Sequence, residues 1–105
     1  MIATLNNKKE IAKDTMLFEF IMPREFQFEA GQYLQMILPS GGKHYFSIAS
    51  SPTRLPMIEI ATRMTGSDFK NYLLKAPLGI ELEINGPWGD IFADLNKKKR
   101  SLYFK

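Results

Sequence analysis

The run Lys43-His44-Tyr45-Phe46-Ser47-Ile48-Ala49-Ser50-Ser51-Pro52 sets aromatic rings, a hydroxyl and several small residues directly after a predicted strand. An aromatic face can wall a flat ring, a hydroxyl can hydrogen-bond its polar edge, and small residues let a ligand approach the backbone. Phe46 and Ser47 are expected to face such a ring together, with Ile48 and Ala49 bringing amides and carbonyls to the same edge. Tyr45 either flanks the ligand or faces solvent from the other side of the strand. His44, mostly neutral at pH 7, is either a phosphate contact or a strand-end residue. No acid or histidine is placed to activate Ser47, so its chemistry would be hydrogen-bond donation and not nucleophilic attack. A second candidate is Thr65-Gly66-Ser67, with Arg63 just before it, at the start of a predicted helix. Helix N-termini favour anions, but Ser and Thr there also serve as plain caps, and Asp68 suits a cap better than a phosphate cradle.

Composition narrows the chemistry further. The chain has 105 residues, 45% of them hydrophobic, enough for one domain with one core. With no cysteine and a single histidine, it offers no disulfide, no thiolate nucleophile, no cysteine-held iron-sulfur cluster and no multi-histidine metal site. Redox chemistry would therefore need a bound organic cofactor. The net charge of +3 owes much to Lys97-Lys98-Lys99-Arg100, which reads as a solvated linker and not as a nucleic-acid patch. No apolar run is long enough to span a membrane, and Met1 to Leu5 lacks the regions of a signal peptide. A cytoplasmic protein with no membrane partner is the expectation.

The elements that must position these residues are mostly strands. Met16, Phe18, Phe20 and Met22 alternate onto one face until Pro23; Leu34, Met36 and Leu38 do the same before the turn at Pro39-Ser40-Gly41-Gly42. Ile58, Ile60, Thr62 and Met64 alternate with Glu59 and Arg63, and Leu82 and Ile84 with Glu81 and Glu83. Phe69, Tyr72 and Leu73 recur at helical spacing behind a Ser67 or Thr65 cap, and Pro77 and Gly79 stop that helix. The expected architecture is all-β: a six-stranded antiparallel Greek-key barrel with one short helix between strands 5 and 6.

Taken in order, Ala30-Gly31-Gln32-Tyr33, His44-Tyr45-Phe46-Ser47, Gly66-Ser67 and Gly86-Pro87-Trp88-Gly89 resemble the motifs of the flavin-binding domain of the ferredoxin-NADP reductase superfamily. The resemblance runs from about Ile2 to Phe104 and is greatest to the bacterial NAD(P)H-flavin reductase branch. It implies an Arg-x-Tyr-Ser type motif in which Phe46 takes the aromatic place, Ser47 the hydroxyl near the reactive ring nitrogen N5, and His44 the place of a phosphate-binding arginine. It implies Thr65, Gly66 and Ser67 as neighbours of the pyrophosphate, and Gly86 to Gly89 as a tight corner at which Trp88 covers the barrel end. The cofactor implied is FAD, with FMN or a free flavin fitting the same residues. NAD(P)H would be the electron donor in the full-length enzyme, and a ferredoxin-like protein or another flavin the acceptor.

On this reading residues 1–96 form the flavin domain, while 97–105 form a linker and the start of a nicotinamide nucleotide domain. Ser101-Leu102-Tyr103-Phe104 would open that domain's first strand, and the Gly-rich phosphate loop that should follow is not in the chain. The chain alone is then expected to lack nicotinamide-dependent turnover. Two other readings use the same barrel: a non-catalytic ligand-binding or interaction module, and a riboflavin-synthase-like flavin or lumazine binder.

Overall fold

The computed structural model describes residues 1–89. Six strands run in chain order as β1 (Ile2–Ala12), β2 (Thr15–Ile21), β3 (Tyr33–Ile37), β4 (Lys43–Ser47), β5 (Met57–Arg63) and β6 (Glu81–Trp88). One helix, α1 (Asp68–Lys75), lies between β5 and β6, and a 3-10 turn over Pro52–Arg54 precedes β5. The strands form a single sheet in the order β4-β3-β6-β1-β2-β5, with antiparallel pairing throughout. Insertion of β6 between β3 and β1 is the long return connection of a Greek key. The expected boundary at residues 96–97, and the strand entry at 101–104, lie outside the described residues.

Alternation in sequence becomes alternation of burial. Phe18 and Phe20 of β2, Leu34 and Met36 of β3, Ile58 and Ile60 of β5, and Leu82 and Ile84 of β6 are essentially removed from solvent. Fully burying each such side chain contributes about 1.5–3 kcal/mol. Leu5 of β1 and Leu73 of α1 close the same core.

The helix is positioned from both ends. Ser67 Oγ accepts the Lys70 amide at 3.3 Å, satisfying one of the free donors of the first turn. At the other end the Lys8 ammonium donates to the carbonyls of Leu74 and Ala76, placing positive charge at the negative end of the helix dipole. The apolar stripe of α1 differs from the expected one. Phe69 and Leu73 face the core as expected, but Tyr72 is 37% exposed and Lys70 is buried beside them. The Lys70 ammonium donates to the Arg63 carbonyl oxygen at 2.7 Å. Among the described residues no helix is long and apolar enough to cross a membrane.

Candidate functional site

Strands β4 and β5 are the two ends of the sheet, and they meet without forming a ladder. Just past β4 the Ala49 amide donates to the Glu59 carbonyl at 2.8 Å, and Ser50 Oγ accepts the Glu59 amide at 2.9 Å. The Arg54–Glu59 ion pair at 3.0 Å fastens the intervening turn to β5. Among the described residues β4 pairs with β3 alone, so the rest of its other edge carries backbone groups that the described sheet does not use. The seam is the line along His44 to Ser47 where this edge meets α1, with Phe69 packed across it.

The inner wall of this seam is aromatic. His44 stacks on Phe46 with ring centroids 4.5 Å apart and reaches Phe69 of α1 at 5.4 Å; Phe46 and Phe69 stand 5.7 Å apart. Phe46 is only 5% exposed, so its ring is packed beneath the seam. Ser47 is exposed. The expectation that these two share one face is not met, because successive strand residues point to opposite sides and the ladder sets Phe46 opposite Leu34 and Ser47 opposite Tyr33. By the same alternation Ser47 shares the outer face of β4 with Tyr45, at the end of the strand.

The neighbours of the motif are partly committed to the fold. The Ile48 amide donates to the Gln32 carbonyl at 3.1 Å and the Ala49 amide to Glu59, so neither N–H is free for a ligand. Ile48 is buried and Ala49 exposed. At the start of α1, Thr65 and Gly66 are exposed and Ser67 is half-buried. Gly66 has φ +80°, a left-handed conformation that glycine adopts without strain, and its carbonyl accepts from Asn71 Nδ2 at 3.2 Å. Ser67 already serves as the cap, and Asp68 puts an acid in the first turn. Arg63 is exposed, and its carbonyl, not its guanidinium, makes the contact with α1.

Charge at the seam comes from a residue outside the sequence motifs. Lys70 is 9% exposed and its ammonium lies close enough to act on His44. Burial holds the His44 imidazole below the usual histidine value, and the Lys70 charge pushes it the same way. His44 is therefore neutral at pH 7 and supplies no permanent charge to the seam. The signal for Lys70 in the sequence was its position directly after Phe69 and three before Leu73, at the edge of the apolar stripe.

Tyr45 turns to the opposite face of β4, 58% exposed. There it joins Tyr33 and Trp88, with centroid separations of 5.9 to 6.0 Å among the three rings. Trp88 lies on this platform, 39% exposed. Gly86, at φ +116°, makes the close crossing possible: a Cβ there would stand 3.3 Å from the Tyr33 carbonyl oxygen and 3.3 Å from the Trp88 ring.

A six-stranded antiparallel Greek-key sheet with one helix between its fifth and sixth strands, and an aromatic seam where its ends meet, defines the flavin-domain class of barrel. Residues 2–92 match the family of oxidoreductase FAD-binding domains, and the chain belongs to that family. It is 36% identical to ferredoxin–NADP reductase B of Sorangium cellulosum over 90 residues, which cover 82% of this chain and 37% of that protein. It is 27% identical to the phenol hydroxylase P5 protein of Acinetobacter pittii over 104 residues, covering 96% of this chain and 30% of that one. The chain thus spans about a third of the length of these curated relatives. Among solved structures, the Amycolatopsis cytochrome P450 reductase GcoB superposes with a TM-score of 0.75 at 29% identity, over 84% of this chain and 28% of that one. Phthalate dioxygenase reductase, at 21% identity and a TM-score of 0.72 over 85% of this chain and 30% of that one, shares the fold.

The residues present fit the family's cofactor. A flavin nucleotide brings a planar ring with a polar edge and a phosphate end. The seam brings an unpaired strand edge and the Ser47 hydroxyl at one end, and a buried ammonium at the other.

Proposed function

We propose that the chain holds the FAD of an NAD(P)H-dependent reductase along the seam between β4 and α1, with FMN or a free flavin accommodated by the same groups. The match of residues 2–92 to the FAD-binding domain family carries this reading. When bound, the flavin supplies the hydride- and electron-transfer chemistry. The protein supplies placement. Phe46, backed by Phe69, gives an apolar floor; the free edge of β4 offers backbone partners to the ring's polar rim; Ile48 and Ala49 fix the end of the seam through their own hydrogen bonds. The Ser47 hydroxyl donates toward the N5 position of the ring and holds it in register. Arg63, Thr65, Gly66 and Ser67 border the phosphate end, and Tyr45 stands on the outer face.

The donor site for NAD(P)H belongs, on this reading, to a part of the protein beyond the barrel, and the chain by itself does not oxidise NAD(P)H. The acceptor is a ferredoxin-like protein or a second flavin. Support comes from the relatives: one is named as a ferredoxin–NADP reductase, and the phthalate dioxygenase reductase is described as transferring electrons from pyridine nucleotides to [2Fe-2S]. The riboflavin-synthase-like and non-catalytic readings have no comparable support.

Ser47→Ala tests the placement in the reductase that contains this domain. Hydride transfer in stopped-flow should slow by about tenfold, the worth of one well-placed hydrogen bond, while flavin affinity changes by less than about threefold. Equal loss of rate and affinity would contradict the role given to Ser47.

A further inference from the structure

The two ends of the sheet are joined in a way that backbone pairing alone does not explain. In an ordinary antiparallel ladder, two residues that face each other as a hydrogen-bonded pair exchange both of their backbone bonds. Ala49 and Glu59 depart from this. The Ala49 amide donates to the Glu59 carbonyl at 2.8 Å, but the Glu59 amide donates at 2.9 Å to Ser50 Oγ. A side chain has taken the place of a backbone acceptor.

The reason lies in the chain that follows. Ser51 caps the 3-10 turn over Pro52–Arg54, its side chain accepting the Thr53 amide at 3.3 Å, so the backbone leaves β5 directly after Ser50. The Ser50 hydroxyl reaches back across that departure. A backbone acceptor is present at every residue, whereas this joint depends on which residue stands at position 50. The bond is part-buried, so solvent replaces a lost acceptor there incompletely.

What the joint holds is the end of β4. Ile48 and Ala49, the two residues between Ser47 and Ser50, are tied in opposite directions: the Ile48 amide to the Gln32 carbonyl just before β3, the Ala49 amide to Glu59 of β5. Ser47 is exposed, so this backbone, and not core packing, sets where its hydroxyl stands.

Resting on the flavin reading above, we propose that Ser50 is a positioning residue for the flavin chemistry: its hydroxyl locks the segment after β4 to β5 and thereby sets the distance of the Ser47 hydroxyl from the ring. Ser50 itself touches neither flavin nor substrate. It acts through Ser47, and displacement of an orienting group by about 1 Å can cost about a hundredfold in rate.

A double-mutant cycle in the reductase that contains this domain tests the assignment. Ser50→Ala should slow flavin reduction by NAD(P)H in stopped-flow by about fivefold, while flavin affinity changes by less than about threefold. Ser50→Thr, which keeps the acceptor, should stay within about twofold of the unmodified protein. On a Ser47→Ala background, Ser50→Ala should slow the step by less than about twofold further, because the group it positions has gone. Ser50→Cys, close in size but a much weaker acceptor, should follow alanine and gives the same reading if alanine disturbs the fold. An unchanged rate in the Ala and Cys variants, a threonine variant as slow as alanine, or the full loss repeated on the Ser47→Ala background overturns the assignment and leaves the flavin reading standing. Absence of FAD, FMN and riboflavin binding by the unmodified chain removes the flavin reading itself, and the assignment with it.

Discussion

His44 and Phe46 turn to the inner side of β4 and stack on Phe69, while Tyr45, one residue away, turns outward and joins Tyr33 and Trp88 in a platform open to solvent. Both clusters contain three rings and share strand β4, yet among the described residues only the inner one adjoins a buried cation. Aromatic content alone therefore does not mark the site. What separates the two sides is the company of hydrogen-bonding groups and charge, which a flavin nucleotide needs and an apolar platform does not provide.

The largest test of this difference is energetic. Phe46→Ala should destabilise the domain by about 3–5 kcal/mol, the usual cost of removing a buried phenylalanine, whereas Tyr45→Ala should cost less than about 1 kcal/mol. Urea unfolding of the two variants measures both. Comparable losses would mean that the outer platform is as much a part of the core as the seam.

A smaller effect follows from the titration of His44. Its folded-state pKa lies below the ordinary value of 6.5 because of burial and the Lys70 charge, so the unfolded chain takes up the proton first as pH falls. Stability contributed by neutral His44 is present above pH 6.5 and is lost as pH drops through the window between 6.5 and the depressed value. His44→Gln should flatten that part of the stability profile in thermal melts. A profile identical to that of the unmodified chain would contradict the placement of His44 against Lys70.

Much of this was legible in the sequence, for reasons that particular residues make plain. Phe18, Phe20, Leu34, Met36, Leu82 and Ile84 alternate strictly because one face of each strand is buried and the other is not. Strand β1 is harder to read: Asn6 to Glu10 is polar, and there the strand runs with β2 largely beyond the core, with register shifts between Leu5 and Asn7 and between Glu10 and Ala12. Its backbone pairing, not its side chains, makes it a strand. At the candidate site, the motif around Ser47 marks strand β4, but Phe46 and Ser47, being adjacent in a strand, face opposite sides. The burial of Lys70 is not legible in the sequence, because a lysine on a helix is ordinarily solvated and this one is held by the Arg63 carbonyl at the end of β5.

Amide chemical-shift mapping of the chain with added FAD measures where the cofactor sits. The largest changes should fall at His44 to Ala49 and at Arg63 to Lys70, with Tyr33 and the Trp88 indole nearly unmoved. Changes centred on Tyr33, Tyr45 and Trp88, with Lys70 silent, would contradict it.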